Sequence, residues 1–194
     1  RRERRRAPTQ GELMPPPPST AAGDRLRPYR ERRDFARTAE PPDVAGAADS
    51  DLYVMQLHAA RRRHFDLRLA LDGVLLSWAV TRGPSLDPGV RRLAVRTEDH
   101  PLAYGDFEGV IAPGAYGAGT VMLWDRGRWI PEGDPRDGLA RGRLRFTLQG
   151  ERLAGSWSLV RMAGKAGETR ENWLLMKGRD AWSRSAGEGA EPGE

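Results

Sequence analysis

Apolar and polar residues alternate along the middle of the chain. The segment "HFDLRLAL" (64–71) shows this pattern. The segment "DLYVMQLH" (51–58) precedes it, and the apolar "VLLSWAV" (74–80) follows after Asp72-Gly73. Alternation with a period of two is typical of β-strands, and an Asp-Gly step favours the two-residue turn of a hairpin. The pattern therefore predicts three strands, of which the last two form a tight hairpin.

More short strands are predicted up to about residue 180, divided by Gly, Pro and Asp. The segments are "RRLAVRTED" (91–99), "GTVMLWDRG" (119–127), "RWIPE" (128–132), "GRLRFTLQG" (142–150), "RLAGSWSLVRM" (152–162) and "ENWLLMKGRD" (171–180). Many short strands at this spacing indicate a barrel or a sandwich. We expect a mainly β fold, a small closed or partly open β-barrel, with a short flanking helical segment within residues 26–41.

The two ends of the chain differ in composition from this β region. Residues 1–25 combine a basic run with four consecutive prolines, which predicts a disordered leader. Such a leader either adds salt-sensitive affinity for DNA or is a plain linker. Residues 183–194 predict a flexible acidic tail, so one domain is expected at residues 26–182.

Composition excludes several classes of protein and of site. The 194 residues contain no cysteine, which excludes disulfides and thiolate metal sites and leaves nitrogen and oxygen as metal ligands. No apolar run approaches the roughly 20 residues of a membrane helix, and no signal-peptide pattern is present. We therefore expect a cytoplasmic protein without membrane contact. Because its first residue is not Met, we expect a trimmed or excised segment.

Arginine supplies nearly all of the positive charge. Lys165 and Lys177 are the only lysines, and the net charge of +5 arises within residues 1–40, where eleven arginines face six acidic residues. The codon usage of a GC-rich genome would explain this composition. Recognition of phosphate would explain it equally well, because a guanidinium binds phosphate with two parallel hydrogen bonds.

The candidate chemistry is concentrated in "QLHAARRRHFDLRL" (56–69). Residues two apart in a strand share a face, so His64, Asp66 and Arg68 are expected on one wet, polar side, with apolar residues on the other. The five residues before His64 allow a turn that brings His58 beside it. Two imidazoles and a carboxylate suit Mn²⁺, Zn²⁺ or Fe²⁺ better than Mg²⁺. A solvated, hydrogen-bonded His–Asp pair is the alternative without a metal.

The third histidine, His100, lies in "RTEDHPLAYGDFEG" (96–109). It would complete the metal shell, or serve as a general acid or as a hydrogen-bond donor to phosphate. The glycine-rich "PGAYGAGTV" (113–121) lacks the Lys-Ser/Thr ending of a phosphate loop. It favours a tight turn that leads into the next strand.

Four long parts of the chain are similar to one known family. They are "RDFARTAEP" (33–41), the run from "QLHAARRRHFDLRL" to "TRGPS" (56–85), the run from "RRLAVRTEDHPLAYGDFEG" to "LWDRG" (91–127), and "LQGERLAGSWSLVR" with "NWLLMKGRD" (148–180). Together they resemble the 3′-phosphoesterase family, the end-healing domain of bacterial DNA ligase D, which also occurs as stand-alone proteins. The resemblance covers roughly residues 30–180.

This resemblance implies a β-barrel with a crescent-shaped groove and a Mn²⁺-dependent hydrolase, with other divalent transition metals as further candidates. The implied substrates are DNA primer-template 3′ ends in non-homologous end joining, including strands that end in ribonucleotides. A 3′-phosphodiesterase step would release the terminal ribonucleoside, and a 3′-phosphomonoesterase step would then leave a 3′-OH that can be ligated. Implied partners are the ligase and polymerase domains of DNA ligase D and Ku, in the cytoplasm at the nucleoid.

The resemblance also assigns roles to residues. The implied metal ligands are His58, His64 and Asp66. The implied catalytic residues are His100, Arg68, Tyr104 and Glu98. The implied phosphate-binding residues are Arg68, Arg82, Arg92 and His100. The residues implied to support the pocket are Arg33, Asp34, Glu40 and Gln56. The chain departs from the family at Arg82, where lysine is common, and at Ala115, Arg62 and Arg63.

Two other functions remain open from the sequence. His64, Asp66 and His100 imitate the facial triad of an iron oxygenase, although this leaves His58 and the arginines without a role. A non-catalytic DNA-end-binding module of a ligase assembly is the other alternative. Cleavage of a ribonucleotide-terminated primer-template with and without Mn²⁺ distinguishes these hypotheses.

Overall fold

The computed structural model describes residues 25–44, 46–47, 50–164, 167–185 and 191. The predicted leader lies outside the described residues except for Arg25, whose guanidinium is 2.8 Å from the carboxylate of Asp99. Of the predicted tail, residues 183–185 and 191 are described.

Within this part of the chain, ten strands form one sheet. They are β1 (Leu52–Ala60), β2 (His64–Leu71), β3 (Val74–Val80), β4 (Arg92–Arg96), β5 (His100–Pro101), β6 (Gly109–Ile111), β7 (Gly119–Pro131), β8 (Arg143–Gly150), β9 (Ala154–Arg161) and β10 (Asn172–Lys177). The order β1-β2-β3-β4-β10-β9-β8-β7 ends where it began, because β7 also pairs with β1. Eight antiparallel strands thus close a barrel, which confirms the predicted fold.

The short helical segments lie outside the barrel wall. Helix α1 (Arg27–Glu31) falls within the segment where a helix was predicted, and a 3-10 turn, η1, covers Leu102–Asp106. Helix α2 (Pro135–Ala140) was not predicted; the Asp134 side chain caps it by accepting a hydrogen bond from the Arg136 backbone N–H at 2.9 Å. No helix among the described residues is long and apolar enough to span a membrane.

A tight turn at Asp72-Gly73 joins β2 to β3. Asp72 and Gly73 have φ values of 54° and 80°, so both adopt the left-handed conformation of the predicted hairpin turn between β2 and β3.

The predicted division of β7 at Gly127 is wrong, because β7 runs unbroken over 13 residues. A Cβ on Gly127 would lie 2.0 Å from the carbonyl oxygen of Gln149 in β8. This glycine permits close approach of two backbones instead of ending the strand.

The alternation along β2 divides its side chains between two clusters. Phe65, Leu67 and Leu69 point into the barrel and are at most 8% exposed, as predicted for the packing face. The opposite face was expected to be wet, but Asp66 and Arg68 are 6% and 2% exposed. A second apolar cluster covers that side of the sheet; its buried members are Tyr29, Ala70, Leu75, Tyr104, Phe107, Ile111 and Val121.

Candidate functional site

His58, His64 and Asp66 come together at the end of the β1–β2 hairpin. His58 lies directly opposite His64 in the strand register, and Asp66 is two residues further along the same face of β2. Nδ1 of His58 and Nε2 of His64 lie 3.5 Å and 3.6 Å from the two carboxylate oxygens of Asp66. One ligand atom from each of the three residues lies within 4.8 Å of the other two. The three side chains can therefore share one ion.

The outer ring nitrogens of both histidines contact backbone carbonyls. Nε2 of His58 is 2.8 Å from the Gly117 oxygen, and Nδ1 of His64 is 2.9 Å from the Arg62 oxygen. Because a carbonyl can only accept, these nitrogens carry the protons, and the nitrogens facing Asp66 keep their lone pairs. Such contacts set the tautomer and orientation of metal-binding histidines. The donor set fits a divalent transition metal.

Arg68 provides a buried positive charge beside this cluster. Its guanidinium donates to Gln56 Oε1 at 2.7 Å, to Ser77 Oγ at 2.8 Å and to Asp66 Oδ2 at 3.2 Å. Burial by itself would raise the pKa of Asp66, but the positive charge of Arg68 is the leading effect in the other direction, and that pKa lies below its usual value. Asp66 is therefore ionised and available as a ligand near neutral pH.

Gln56 joins Arg68 to the turn that carries Tyr104. Its amide nitrogen donates to the carbonyl oxygens of Tyr104 and Phe107, at 2.9 Å and 3.0 Å, while its oxygen accepts from Arg68. Gln56 is completely buried, and it lies next to an irregularity in the β1–β7 register between Met55 and itself. A single side chain thus fixes both the η1 turn and the Arg68 guanidinium.

His100 is buried behind the three candidate metal ligands and is not one of them. Its Nδ1 is 2.9 Å from the Glu98 carbonyl oxygen, to which it donates, so its Nε2 is the acceptor that Arg33 approaches at 3.4 Å. Burial lowers the pKa of His100 well below 6.5, and the charges of Arg68 and Arg33 lower it further. His100 is therefore neutral near neutral pH, and the described residues assemble His58, not His100, with His64 and Asp66.

The segment between α1 and β1 adds a buried ion-pair network to the site. Nε of Arg33 is 2.8 Å from Glu40, its Nη1 is 3.2 Å from Glu98, and its guanidinium stacks 3.8 Å from the ring centre of Tyr29. Glu40 also accepts a 3.0 Å hydrogen bond from the hydroxyl of Tyr104. Burial raises the pKa of that hydroxyl above its usual value, so it remains protonated. Four of the predicted site residues therefore form one connected group.

Three adjoining cavities surround these side chains. The metal-cluster pocket, of about 270 Å³, is lined by the three ligands together with Arg33, Ala60, Arg68, Ala79, Thr97, Glu98, His100, Tyr104, Ile111, Tyr116 and Gly117. The arginine groove, of about 1210 Å³, extends past His64 along β3 and β4; its arginines are Arg32, Arg62, Arg63, Arg82, Arg96 and Arg170. The loop cavity, of about 460 Å³, lies between residues 32–40 and residues 112–116.

Two predicted site residues lie at the edges of this system. Arg82 is exposed and lines the arginine groove together with His64. Asp34 is exposed and lines the loop cavity, where its carboxylate accepts a 3.1 Å hydrogen bond from the Ala36 backbone N–H. Neither of them lines the metal-cluster pocket.

Two predicted site residues, Arg92 and Gln56, line none of these cavities. Gln56 still contacts the site through Arg68 and Tyr104, whereas Arg92 does not. Asp66 pairs with Ala79, which pairs with Val95, so these three share a face of the sheet. Arg92 is three residues from Val95 in β4 and lies on the opposite face. There its guanidinium forms an ion pair with Glu191.

Sequence reasoning missed three contributors to the site. Ser77 accepts a hydrogen bond from Arg68, and its position as the one polar residue in "VLLSWAV" was an available signal. Gly117 and Tyr116 lie in the glycine-rich segment that was assigned to a tight turn. Gly117 acts through its carbonyl oxygen, which no pattern of residue types encodes.

Sequence comparisons match known proteins over the part of the chain that carries this site. A family model described as the DNA Ligase D 3'-phosphoesterase domain matches residues 56–161. The chain is 51% identical over 165 residues to the multifunctional non-homologous end joining protein LigD of Pseudomonas aeruginosa, covering 82% of this chain and 19% of that protein. It is 42% identical over 156 residues to the multifunctional non-homologous end joining DNA repair protein LigD of Mycobacterium tuberculosis. This match covers 78% of this chain and 19% of that protein.

A third relative is the LigD protein of Mycolicibacterium smegmatis, which is 38% identical over 179 residues, covering 88% of this chain and 23% of that protein. The chain thus spans about a fifth of the length of these relatives. The matched region begins at Gln56 and includes all three candidate ligands as well as His100. The chain belongs to the DNA ligase D 3'-phosphoesterase domain family.

Proposed function

We propose that this domain is a metal-dependent phosphoesterase that processes 3′ ends of DNA during non-homologous end joining. The observation that carries the proposal is the convergence of His58, His64 and Asp66 within 4.8 Å, beside the buried guanidinium of Arg68. Membership of the 3'-phosphoesterase domain family supports the reaction class. The relatives' names, which refer to end joining, support the cellular role.

The proposed cation is Mn²⁺, held by His58 Nδ1, His64 Nε2 and one carboxylate oxygen of Asp66. This mixture of nitrogen and oxygen ligands also suits other divalent transition metals, and suits Mg²⁺ less well. When bound, the ion would supply Lewis acidity and a fixed point for a phosphate oxygen.

Arg68 and Arg33 are proposed to stabilise the phosphate that enters the metal-cluster pocket. Phosphoryl transfer depends mainly on positive charge around the equatorial oxygens and on positioning. Arg68 is fixed by three hydrogen-bond acceptors and Arg33 by two carboxylates, so neither has to be ordered when substrate binds. Arg92 is not included in this mechanism, because it lies on the other face of the sheet.

His100 is proposed to change its role when substrate binds. In the free protein its Nε2 accepts from Arg33 and the ring is neutral. A phosphate that replaces His100 as the acceptor of the Arg33 N–H brings negative charge beside the imidazole, and this raises the pKa of His100. The ring then gains a proton at Nε2, from which it can donate to the phosphate or to the leaving oxygen.

The proposed substrate is a primer strand that ends in a ribonucleotide. Hydrolysis of the last phosphodiester would release the terminal nucleoside, and hydrolysis of the remaining 3′-phosphate would leave a 3′-OH. The sequence has no cysteine, so we propose direct attack by water. As part of a longer protein, the domain would act beside the ligase and polymerase domains of DNA ligase D, with Ku at the same DNA end.

A labelled primer-template with one 3′-terminal ribonucleotide tests this proposal. With Mn²⁺, the wild-type protein should convert the strand first to a 3′-phosphate and then to a shorter 3′-OH product, and without the metal it should do neither. Retained DNA binding without cleavage at any metal concentration would instead support the non-catalytic end-binding module. Turnover that depends on 2-oxoglutarate would support the iron oxygenase.

A further inference from the structure

Two cavities adjoin the metal-cluster pocket, and they also share Arg32 and Tyr116 with each other. The arginine groove shares His64, Ala79, Thr97, Glu98 and Tyr116 with that pocket. The loop cavity shares Arg33 and Tyr116 with it. A phosphate in the metal-cluster pocket would therefore have space for one substituent towards each cavity.

The charges of the two cavities differ. Among the described residues, Arg62, Arg63, Arg82 and Arg170 of the arginine groove form no ion pair. A row of uncompensated guanidiniums suits a chain of phosphates. The acidic residues of the groove are Glu98, which pairs with Arg32, and Glu171.

Charge is largely neutralised in the loop cavity. Arg33 is paired with Glu40 and Glu98, and Arg32 is paired with Glu98. The remaining arginine, Arg37, forms no ion pair among the described residues, so the cavity has three arginines against the carboxylates of Asp34 and Glu40. A substituent without a phosphate of its own fits this cavity better than a polynucleotide does.

The lining of the loop cavity offers contacts for both a base and a ribose. Ala112, Pro113 and Ala115 provide an apolar wall that ends at the ring of Tyr116, which is 47% exposed. Asp34 and Thr38 line the same cavity with a carboxylate and a hydroxyl. Carboxylates bind ribose hydroxyls in nucleotide sites, and aromatic rings stack on bases of any sequence.

Tyr116 stands where all three cavities meet. Its hydroxyl accepts a 2.8 Å hydrogen bond from Arg32 and donates to Glu98 at 3.2 Å. Gly114 and Gly117 on either side have φ values of 85° and 76°, in the left-handed region that favours glycine. The loop conformation thus places one aromatic ring at the boundary between the groove and the loop cavity.

We propose that the loop cavity binds the terminal nucleoside that the diesterase step releases, while the rest of the strand lies in the arginine groove. Tyr116 provides the aromatic face for the terminal base, and Asp34 and Thr38 face the ribose. This inference rests on the proposed function and gives the substrate a direction across the metal cluster. It also separates the two steps, because a strand ending in a 3′-phosphate leaves the loop cavity empty.

The test compares two substrates on the full chain with Mn²⁺: a strand ending in a ribonucleoside and the same strand ending in a 3′-phosphate. Ala115→Trp places an indole in the loop cavity. We expect it to lower the ratio of kcat/KM for the diester to kcat/KM for the 3′-phosphate by about tenfold or more, in the range of a lost base stack. Val110→Trp is the matched control, since Val110 is 65% exposed and lines none of the three cavities. This control should preserve the ratio.

A second measurement needs no variant and covers the case in which Ala115→Trp does not fold. The wild type is given a strand whose terminal ribose lacks its base. Loss of the stacking contact should make release of the terminal ribose about fivefold or more slower than release of the intact ribonucleoside. Equal rates on the abasic and intact termini would overturn the inference, as would an unchanged ratio in a folded Ala115→Trp protein. Absence of both cleavage steps in the wild type would overturn the proposed function, and this inference with it.

Discussion

His58 and His64 face each other across the β1–β2 hairpin, with ring centres 4.7 Å apart and ring planes inclined by 54°. Each ring turns its lone-pair nitrogen towards Asp66 and its N–H towards a backbone carbonyl. The orientation of both rings is therefore fixed by the backbone before any ion arrives, which lowers the ordering cost of binding a metal.

Replacement of one of these imidazoles should weaken metal binding. We expect His64→Ala to weaken the affinity for Mn²⁺ by about a hundredfold or more and to abolish both cleavage steps. Loss of a residue that only orients a metal ligand usually costs about 10- to 100-fold in affinity, and loss of the ligand itself should cost at least as much. Calorimetric titration with Mn²⁺ measures the first effect. Arg61→Ala is the control, because Arg61 is exposed in the same turn and lines none of the three cavities. Unchanged Mn²⁺ affinity in His64→Ala would contradict the ligand assignment.

Gln56 should matter for stability as well as for activity. Gln56→Leu keeps a similar side-chain size but leaves two buried carbonyl oxygens and the Arg68 Nε–H without their partner. Because each unpaired buried group costs about 1–3 kcal/mol, we expect the free energy of unfolding to fall by about 2 kcal/mol or more. Urea unfolding of the metal-free protein measures it. The same substitution at the exposed Gln149 should have a much smaller effect, and equal losses in the two variants would refute the role of the buried amide.

His100 should make the protein less stable in mild acid. Its pKa in the folded state is lowered below the value of about 6.5 in an unfolded chain. Below that pH the unfolded state binds more protons than the folded state. The stability that neutral His100 contributes is therefore fully present above about pH 6.5 and is lost as the pH falls. We expect the unfolding free energy of His100→Asn to decline less than that of the wild type between about pH 7.5 and pH 5. Parallel pH profiles would show that His100 is not the group responsible.

Arg82 should contribute to DNA affinity through charge. It is exposed in the arginine groove beside His64 and forms no ion pair among the described residues. We expect Arg82→Ala to weaken DNA binding and to reduce the slope of log K against log salt by about 1, as for one lost phosphate contact. Fluorescence anisotropy at several salt concentrations measures the slope. Arg143→Ala, in an exposed position on β8, should leave it unchanged; an equal change there would point to a general charge effect.

The strands and the convergence of His58, His64 and Asp66 were predictable because their signals are local. Alternation along residues 64–71 separates His64, Asp66 and Arg68 from the apolar face, and the structure keeps that separation. The Asp-Gly turn is likewise specified by two neighbouring residues. The burial of the polar face was not predictable in the same way, because the cover comes from α1, η1 and β6, which are distant in the sequence.

The outer parts of the site depend on contacts that no local pattern encodes. The Gly117 carbonyl reaches His58 from a loop 59 residues away in the sequence. The continuation of β7 through Gly127 depends on how closely β8 approaches, which residue types alone do not reveal. The position of Arg92 follows from counting residues along β4, but only once the register with β3 is known.

The pairing of β1 with β7, which closes the barrel, brings two distant parts of the chain together at the candidate metal site. His58 belongs to β1, whereas the carbonyl that orients it is supplied just before β7 begins, on the other side of the closure. A fragment that ends ahead of residue 117 would retain all three candidate metal ligands and still lack the carbonyl group that orients His58. Mn²⁺ should thus bind such a fragment poorly, and in the intact domain it should raise the melting temperature because it binds the folded state.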